Sequence, residues 1–115
     1  MKITKLSIWN INLKSHETYY MAGNKTYDEV ESVIISIDTD SGVKGWGECC
    51  PIPHYLPAYA KGITPALTEL ASVIIGSDPV GPEALMVKVN KYLQGHPYAK
   101  SILDIAFWVI TAKVS

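Results

Sequence analysis

The fold class is decided by the stretch Val30–Cys49, which reads VESVIISIDTDSGVKGWGEC. Apolar residues recur at every second position in its first half, so Val33, Ile35 and Ile37 share one face of a predicted strand. The DTDSG segment has the residue types of a turn, and the chain returns after it as a partner strand that ends at Cys49. The stretch therefore predicts a β-hairpin.

Two glycines, Gly45 and Gly47, flank Trp46 in the returning strand. Glycine inside a strand marks a place where another backbone or a bulky ring approaches closely. We therefore expect such an approach at this strand.

Residues 2–13 predict another strand, which precedes the hairpin. Its two faces are formed by Leu6 and Ile8 on one side, and by Trp9, Ile11 and Leu13 on the other. Between Lys14 and Glu29 the alternation is lost, and polar residues are mixed with Gly23 and Asn24. We expect a long loop there, of the kind that is usually functional or mobile.

Helical spacing replaces the alternation after Pro57. In the first helix Thr64 and Pro65 have the residue types of an N-cap and a first helical position. Ala58–Gly62 is then a separate turn or a kinked first segment. A second helix is predicted to start near Pro82 and to end before Gly95.

The last segment, residues 97–115, is apolar on nearly every side, which is typical of a helix that lies between two layers of protein. Strands followed by helices predict an α+β fold. We expect a three-stranded antiparallel meander followed by about three helices, forming one domain over residues 1–115.

Composition excludes several functional classes. The chain has 115 residues, is 48% hydrophobic and 18% charged, and carries a net charge of −1. The lysines are scattered singly, so no basic stripe predicts nucleic-acid binding. No signal-peptide pattern is present, and the apolar run Ile105–Ile110 is far too short to span a bilayer. We interpret Cys49 and Cys50 as reduced thiols of a cytoplasmic protein that does not associate with membranes.

The sequence has no GxSxG elbow, no glycine-rich phosphate loop and no HExxH motif. A metal site assembled from two loops is conceivable, with His16, Glu17, Glu48 and His54 as ligands, but we favour their interpretation as polar loop residues. Cys49 or Cys50 paired with His54 is a further conceivable nucleophile, for which no local signature exists. No catalytic residue is assigned to this chain.

Two carboxylates are interpreted structurally. We expect Glu48 to accept hydrogen bonds from backbone amides of the PIPHY turn rather than to act as a general base, because no paired acid or base is evident. Asp104, within the apolar helix, is expected to satisfy a buried polar partner.

Aromatic residues occupy two loops that are expected at the same end of the meander. The first loop carries Tyr19, Tyr20 and Met21, and the second carries His54 and Tyr55. These side chains either cover the core or form the lid of a pocket, since a tyrosine offers both a ring face and a hydroxyl. The residues alone leave both interpretations open.

Two motifs carry a family resemblance, TDSGVKGWGE at residues 39–48 and AKSILDIAFW at residues 99–108. With the helices between them, they resemble the N-terminal capping domain of the enolase superfamily, in its mandelate racemase / muconate lactonizing enzyme group. The resemblance covers essentially the whole chain. YLPAY (residues 55–59) and GHPYAKS (residues 95–101) further resemble members that act on hydroxyproline and proline betaines, as dehydratases or 2-epimerases.

This resemblance implies a division of labour. A separate (β/α)-barrel domain would carry the Mg²⁺ ligands and the bases that remove the proton next to a substrate carboxylate. The capping domain would bind the same small carboxylate through two loops, with Tyr19, Tyr20 and Met21 in the first and His54 and Tyr55 in the second. We expect no metal on this chain and no activity without the barrel. Dehydration and epimerisation both remain open.

The chain departs from the family pattern near its end. Val109 follows Trp108 where the family usually has Asp, and Ala112 precedes Lys113 where it usually has Gly. The lost Asp would have served the domain junction, and no barrel sequence follows. An alternative function is therefore a stand-alone binding or assembly module, a homo-oligomer that buries the apolar helix Ile102–Ile110 by self-association.

Overall fold

The computed structural model describes the backbone of residues 1–21, 25–50 and 60–115, and the side chains of residues 1–11, 32–50 and 62–115. Strands come first and helices follow. The elements are β1 (Ile3–Met21), β2 (Lys25–Thr39), β3 (Lys44–Cys49), α1 (Ala60–Ile74), α2 (Glu83–Tyr92) and α3 (Pro97–Val114). The predicted α+β class is thereby confirmed.

The three strands form one antiparallel sheet in the order β1-β2-β3. Ile35 lies opposite Ile8 on one side and Gly47 on the other, and Ile37 lies opposite Leu6 and Gly45. These residues share the face that packs on the helices, which we call the inner face. The predicted meander and its buried face are confirmed.

The long loop predicted for Lys14–Glu29 is wrong. β1 continues to Met21 and β2 begins at Lys25, so most of this segment is an antiparallel arm. Alternation of apolar residues reports burial of one face, but a ladder of backbone hydrogen bonds needs no such burial. The β-forming residues Thr and Tyr, which are frequent on both sides of the arm, are the signal that we missed.

α3 is the helix that lies against β3. A Cβ added to Gly45 would overlap the carbonyl oxygen of Ala106, and one added to Gly47 would overlap that of Ile102. The close approach predicted at these glycines is confirmed, and the approaching group is the backbone of α3.

The core fills the space between the inner face and the three helices. Its fully buried side chains include Phe107, which is the largest. Among the described side chains, the other buried apolar residues are Ile3, Val33, Ile35, Ile37, Ile63, Ala66, Leu67, Leu70, Ile74, Leu85, Val89, Ala99, Ile102, Leu103, Ala106 and Ile110.

The N-terminus predicted for the first helix at Thr64 and Pro65 is also wrong. Of the two alternatives for Ala58–Gly62, the structure favours a first segment of the helix over a separate turn, because residues 60–62 are helical. α1 begins at Ala60 and contains Pro65. The Thr64 hydroxyl donates to Asn10 Oδ1 at 3.1 Å instead of capping the helix. The apolar stripe begins only at Ile63, so the extra turn at the start of α1 has no periodic signal in the sequence.

The two ends of α2 follow the expected residue types. Pro82 occupies the N-cap of α2, and Gly95, with a φ of 72°, lies in the left-handed region after the helix has ended. Within the described residues, no helix is both long and apolar enough to cross a membrane.

Candidate functional site

Two chain segments leave the sheet at one end. β3 ends at Cys49, opposite Val33, whereas the β1–β2 arm continues past that level to Met21 and Lys25. The turn of the arm and the segment that follows β3 are therefore joined to the sheet at the same end. The described residues thus give the points at which the two aromatic segments join the sheet, and residues 51–59 themselves lie outside the described set.

The predicted residues of the first segment belong to a strand rather than a loop. Tyr19 is paired with Tyr27, Tyr20 with Thr26, and Met21 with Lys25, next to the turn of the arm. Their place near the tip of the arm is thus known, but their side chains lie outside the described set. His54 and Tyr55 lie outside the described residues altogether.

A polar cluster stands where β3 ends. Ser32 is only 1% exposed, and its hydroxyl oxygen lies 2.8 Å from Cys50 Sγ and 3.3 Å from Glu48 Oε1. A hydroxyl has one proton and two lone pairs, so Ser32 can donate to the carboxylate while it accepts from the thiol. The cluster ties the first residue after β3 to the middle strand and thereby fixes where the second segment begins.

Sequence reasoning missed Ser32, because a serine on the solvent-facing side of a predicted strand is unremarkable. For Glu48 the described partners are this serine hydroxyl and, at 4.0 Å, the Cys50 thiol, which donates to Glu48 Oε1. The backbone amides of the PIPHY turn, which we expected as its partners, lie outside the described residues.

The two neighbouring cysteines are free and differ in environment. Burial raises the pKa of the Cys49 thiol above its ordinary value, and the neighbouring Cys50 and Glu48 raise it further. Cys49 is therefore a protonated thiol at neutral pH, which disfavours a role as a nucleophile.

The described residues do not form a metal centre. They contain no group of three or more His, Cys, Asp or Glu side chains close enough to hold an ion. The side chains of His16, Glu17 and His54, three of the four conceivable ligands, lie outside this part of the chain. Glu48 is the fourth, and its described partners are Ser32 and Cys50.

One face of α3 is buried in the core, and another, the bare face, is exposed to solvent. Its exposed side chains include Ile105 and Trp108, each about half accessible. Asp104 is only partly buried on this helix and makes no hydrogen bond to another described residue, so the partner expected for it is not found there. The bare face agrees with the pattern of a helix that is apolar on nearly every side.

Comparisons with known proteins agree on one family. The family model described as "Mandelate racemase / muconate lactonizing enzyme, N-terminal domain" matches residues 4–115. A cis-3-hydroxy-L-proline dehydratase from Roseibium aggregatum is 40% identical over 100% of this chain and 32% of its own length. An N-succinyl-L-Arg/Lys racemase from Bacillus cereus is 27% identical over 98% of this chain and 31% of its own. The chain thus spans about a third of these relatives.

Solved structures give the same result. A member of the enolase superfamily from Roseovarius nubinhibens ISM, crystallised in complex with magnesium, superposes with a TM-score of 0.90 at 35% sequence identity. The match covers 98% of this chain and 30% of that protein. The strands and helices described above are therefore shared with a protein that is about three times as long.

Proposed function

Because the chain belongs to the family of N-terminal domains of mandelate racemases and muconate lactonizing enzymes, we propose that it caps the active site of an enzyme that removes the proton next to a substrate carboxylate. The relatives that it matches are dehydratases, racemases and epimerases. All three activities are consistent with one initial step, the loss of a proton from the carbon beside a carboxylate.

The observation that supports this proposal most directly is that the β1–β2 arm and the segment after β3 are joined to the sheet at the same end. The β1–β2 arm extends beyond the level of Val33 and Cys49 by roughly 25 Å at about 3.3 Å per residue. The segment that follows Cys50 starts from the same end, and the Ser32 cluster fixes its origin. A reactive group held by the rest of the enzyme would be covered from two sides, which excludes water and adds contacts to the substrate.

Magnesium would belong to the rest of the enzyme rather than to this chain. Mg²⁺ requires an octahedron of oxygen ligands, and one or two carboxylates usually supply the protein's part of it. The described residues bring no such group together. We therefore assign no metal ligand among the described residues. Because the chain spans about a third of its relatives, we expect the ligands and the bases to lie in the rest of the enzyme, and we expect no activity from this chain by itself.

The substrate class that we propose is a small carboxylate with a cationic nitrogen, such as a hydroxyproline or a proline betaine. The 40% identity to a cis-3-hydroxy-L-proline dehydratase supports this class. Tyr19, Tyr20 and Met21 on the arm, and His54 and Tyr55 after β3, are the residues that we propose to contact it. Aromatic rings suit a cationic nitrogen, because the ring face carries a partial negative charge.

A domain exchange tests the proposal. The N-terminal segment of the Roseibium aggregatum dehydratase is replaced by this chain, and turnover of cis-3-hydroxy-L-proline is measured with magnesium present. We expect the chimaera to be active, because the exchanged surfaces come from a 40% identical relative. A chimaera that folds, as judged by circular dichroism and gel filtration, but shows no turnover contradicts the proposal.

The matched control is a second chimaera, which carries the N-terminal segment of the Bacillus cereus racemase at 27% identity to this chain. We expect it to fold and to turn over cis-3-hydroxy-L-proline at least tenfold more slowly. Equal activity of the two chimaeras would show that the N-terminal segment does not select the substrate.

A second candidate function is suggested by the bare face of α3. Ile105 and Trp108 are half exposed, and exposed apolar patches commonly mark interaction sites. In a capping domain this face would be covered by the rest of the enzyme. In a stand-alone module, two copies would bury this face of α3 against each other. The single substitution Trp108→Glu would then convert the oligomer into a monomer.

A further inference from the structure

Two tryptophans stack on the side of the sheet that faces away from the helices, which we call the outer face. The ring centroids of Trp9 on β1 and Trp46 on β3 are 5.7 Å apart, and the rings are inclined by 20°. Strand β2 lies between them, so the stack crosses the middle of the sheet. Ser36, directly opposite Trp46 on β2, is almost completely buried on this face, as expected if the rings cover it.

The outer face is unusually apolar. The free side of an antiparallel sheet is ordinarily polar. Here Trp9 is 43% exposed, Trp46 is 46% exposed, and Ile11 next to them is 38% exposed. This much exposed aromatic surface marks an interaction site more often than a solvated one.

The charged residues of the outer face are separated along the strands. At one level of the sheet, Lys5 and Lys44 lie on either side of Asp38. At the level two residues beyond Trp46, Glu48 and Trp9 lie on either side of Ile34. One end of the face is therefore basic, and the other offers a carboxylate and an aromatic ring.

Lys44 is available for a further contact although it has partners within the chain. Its Nζ lies 3.3 Å from Asp38 Oδ1 and 5.5 Å from the centre of the Trp46 ring. An ammonium group has three donors, and nearly half of this side chain is exposed.

We propose that the outer face is a self-association surface on which two copies of this chain pack sheet to sheet. The two copies are related by a two-fold axis that lies between their sheets, perpendicular to the strands and at the level of Trp46. The strands of one copy therefore run antiparallel to those of the other. The axis places Lys44 opposite Glu48 of the second copy, and Lys5 opposite Trp9 of the second copy. Both contacts occur twice, and the two Trp46 rings meet at the axis. The complementarity of these charges is what selects a second copy as the occupant.

The interface is expected to be small. Three strands at about 4.8 Å spacing and roughly eight residues in length offer about 400 Å² per copy. A standard stable interface buries about 800 Å² per partner. We therefore expect a dimer that forms at high protein concentration and dissociates on dilution.

Sedimentation velocity over a range of protein concentrations tests the proposal on this chain. We expect a monomer–dimer equilibrium, and we expect Trp46→Glu to weaken it at least tenfold. Val87→Glu is the matched control, because Val87 is an exposed apolar residue on α2, a helix that contacts α1 and α3 rather than the described part of the sheet. That variant should associate like the unmodified chain.

Two charge reversals test the orientation of the copies. Lys44→Glu places two acids opposite each other, and Glu48→Lys places two bases opposite each other, so each variant alone should associate more weakly. In a mixed dimer of the two variants, position 44 of each copy faces a residue of opposite charge at position 48 of the other copy. The mixed pair should therefore associate more tightly than either variant alone.

The same measurements can overturn the proposal. It fails if the folded chain is monomeric at every concentration tested, since the face then serves another partner or none. It also fails if Trp108→Glu on α3 abolishes association while Trp46→Glu does not, because the copies then meet through α3. Charge-reversed variants that do not associate better when mixed refute the antiparallel arrangement.

Discussion

The carbonyl oxygen of Ala106 contacts Gly45 so closely that a Cβ at this position would overlap it. One helical turn earlier, the carbonyl oxygen of Ile102 stands in the same relationship to Gly47. Because neither glycine has a side chain, the backbone of α3 packs directly against the backbone of β3 at these two positions. The distance between the sheet and the helical layer is set by this contact.

Gly45→Ala should lower the free energy of unfolding by about 1–3 kcal/mol, because the new methyl group forces α3 away from β3. Urea denaturation followed by circular dichroism measures the change. Gly62→Ala in α1 is the control, since a Cβ there meets no atom of the described residues within 4 Å. It should raise stability by roughly 0.5–1 kcal/mol, because alanine is the better helix former. An unchanged stability of Gly45→Ala would contradict the close packing.

The parts of the fold that depend on burial could be predicted from the sequence. The alternation of Val33, Ile35 and Ile37 reports the inner face directly. The glycines around Trp46 report the approach of α3. The β1–β2 arm and the first turn of α1 could not be predicted in this way, since backbone hydrogen bonds form both of them without a periodic apolar face.

The pKa of Cys49 gives a prediction about reactivity. Burial and two acidic neighbours favour the protonated thiol in the folded chain, so alkylation should require a higher pH than in the unfolded chain. Cys50→Ala leaves Cys49 as the only thiol, and burial, the largest cause, remains. The pH midpoint of iodoacetamide labelling is compared in buffer and in guanidinium chloride. Equal midpoints would refute the shift.

The raised pKa of Cys49 also makes the free energy of unfolding depend on pH. Because the folded chain holds the proton of Cys49 more tightly than the unfolded chain, the stabilisation from this thiol is complete below the ordinary thiol pKa. It is then lost as the pH rises towards the pKa of the folded chain. Cys49→Ser should therefore reduce the decline of stability at alkaline pH.

If the magnesium ligands and the catalytic bases belong to the rest of the enzyme, as proposed above, the isolated chain should neither bind magnesium tightly nor turn over substrate. Titration calorimetry with Mg²⁺ tests the first statement. Assays with hydroxyproline, proline betaine and simple acid sugars test the second. Turnover that survives a second purification would show that the chain contains a catalytic site of its own.

The candidate site was only partly predictable for a physical reason. That two segments emerge at one end follows from the order of the strands, which the apolar pattern determines. The Ser32 cluster depends on which side chains meet across β2 and β3, and no short motif reports such contacts. The segment that carries His54 and Tyr55 is rich in proline and has no periodicity, so the sequence predicts only where it begins.

The sharpest prediction concerns Tyr55 in the active chimaera. If its ring faces a cationic nitrogen of the substrate, the contact contributes about 0.5–2 kcal/mol. Tyr55→Ala should then raise KM for the ammonium substrate several-fold and have less effect on a neutral analogue. Tyr55→Phe should be milder, because the ring face is kept. A tyrosine that only packs beneath the β1–β2 arm would instead give equal losses for both substrates together with a lower melting temperature, and that result would rule out the cation contact.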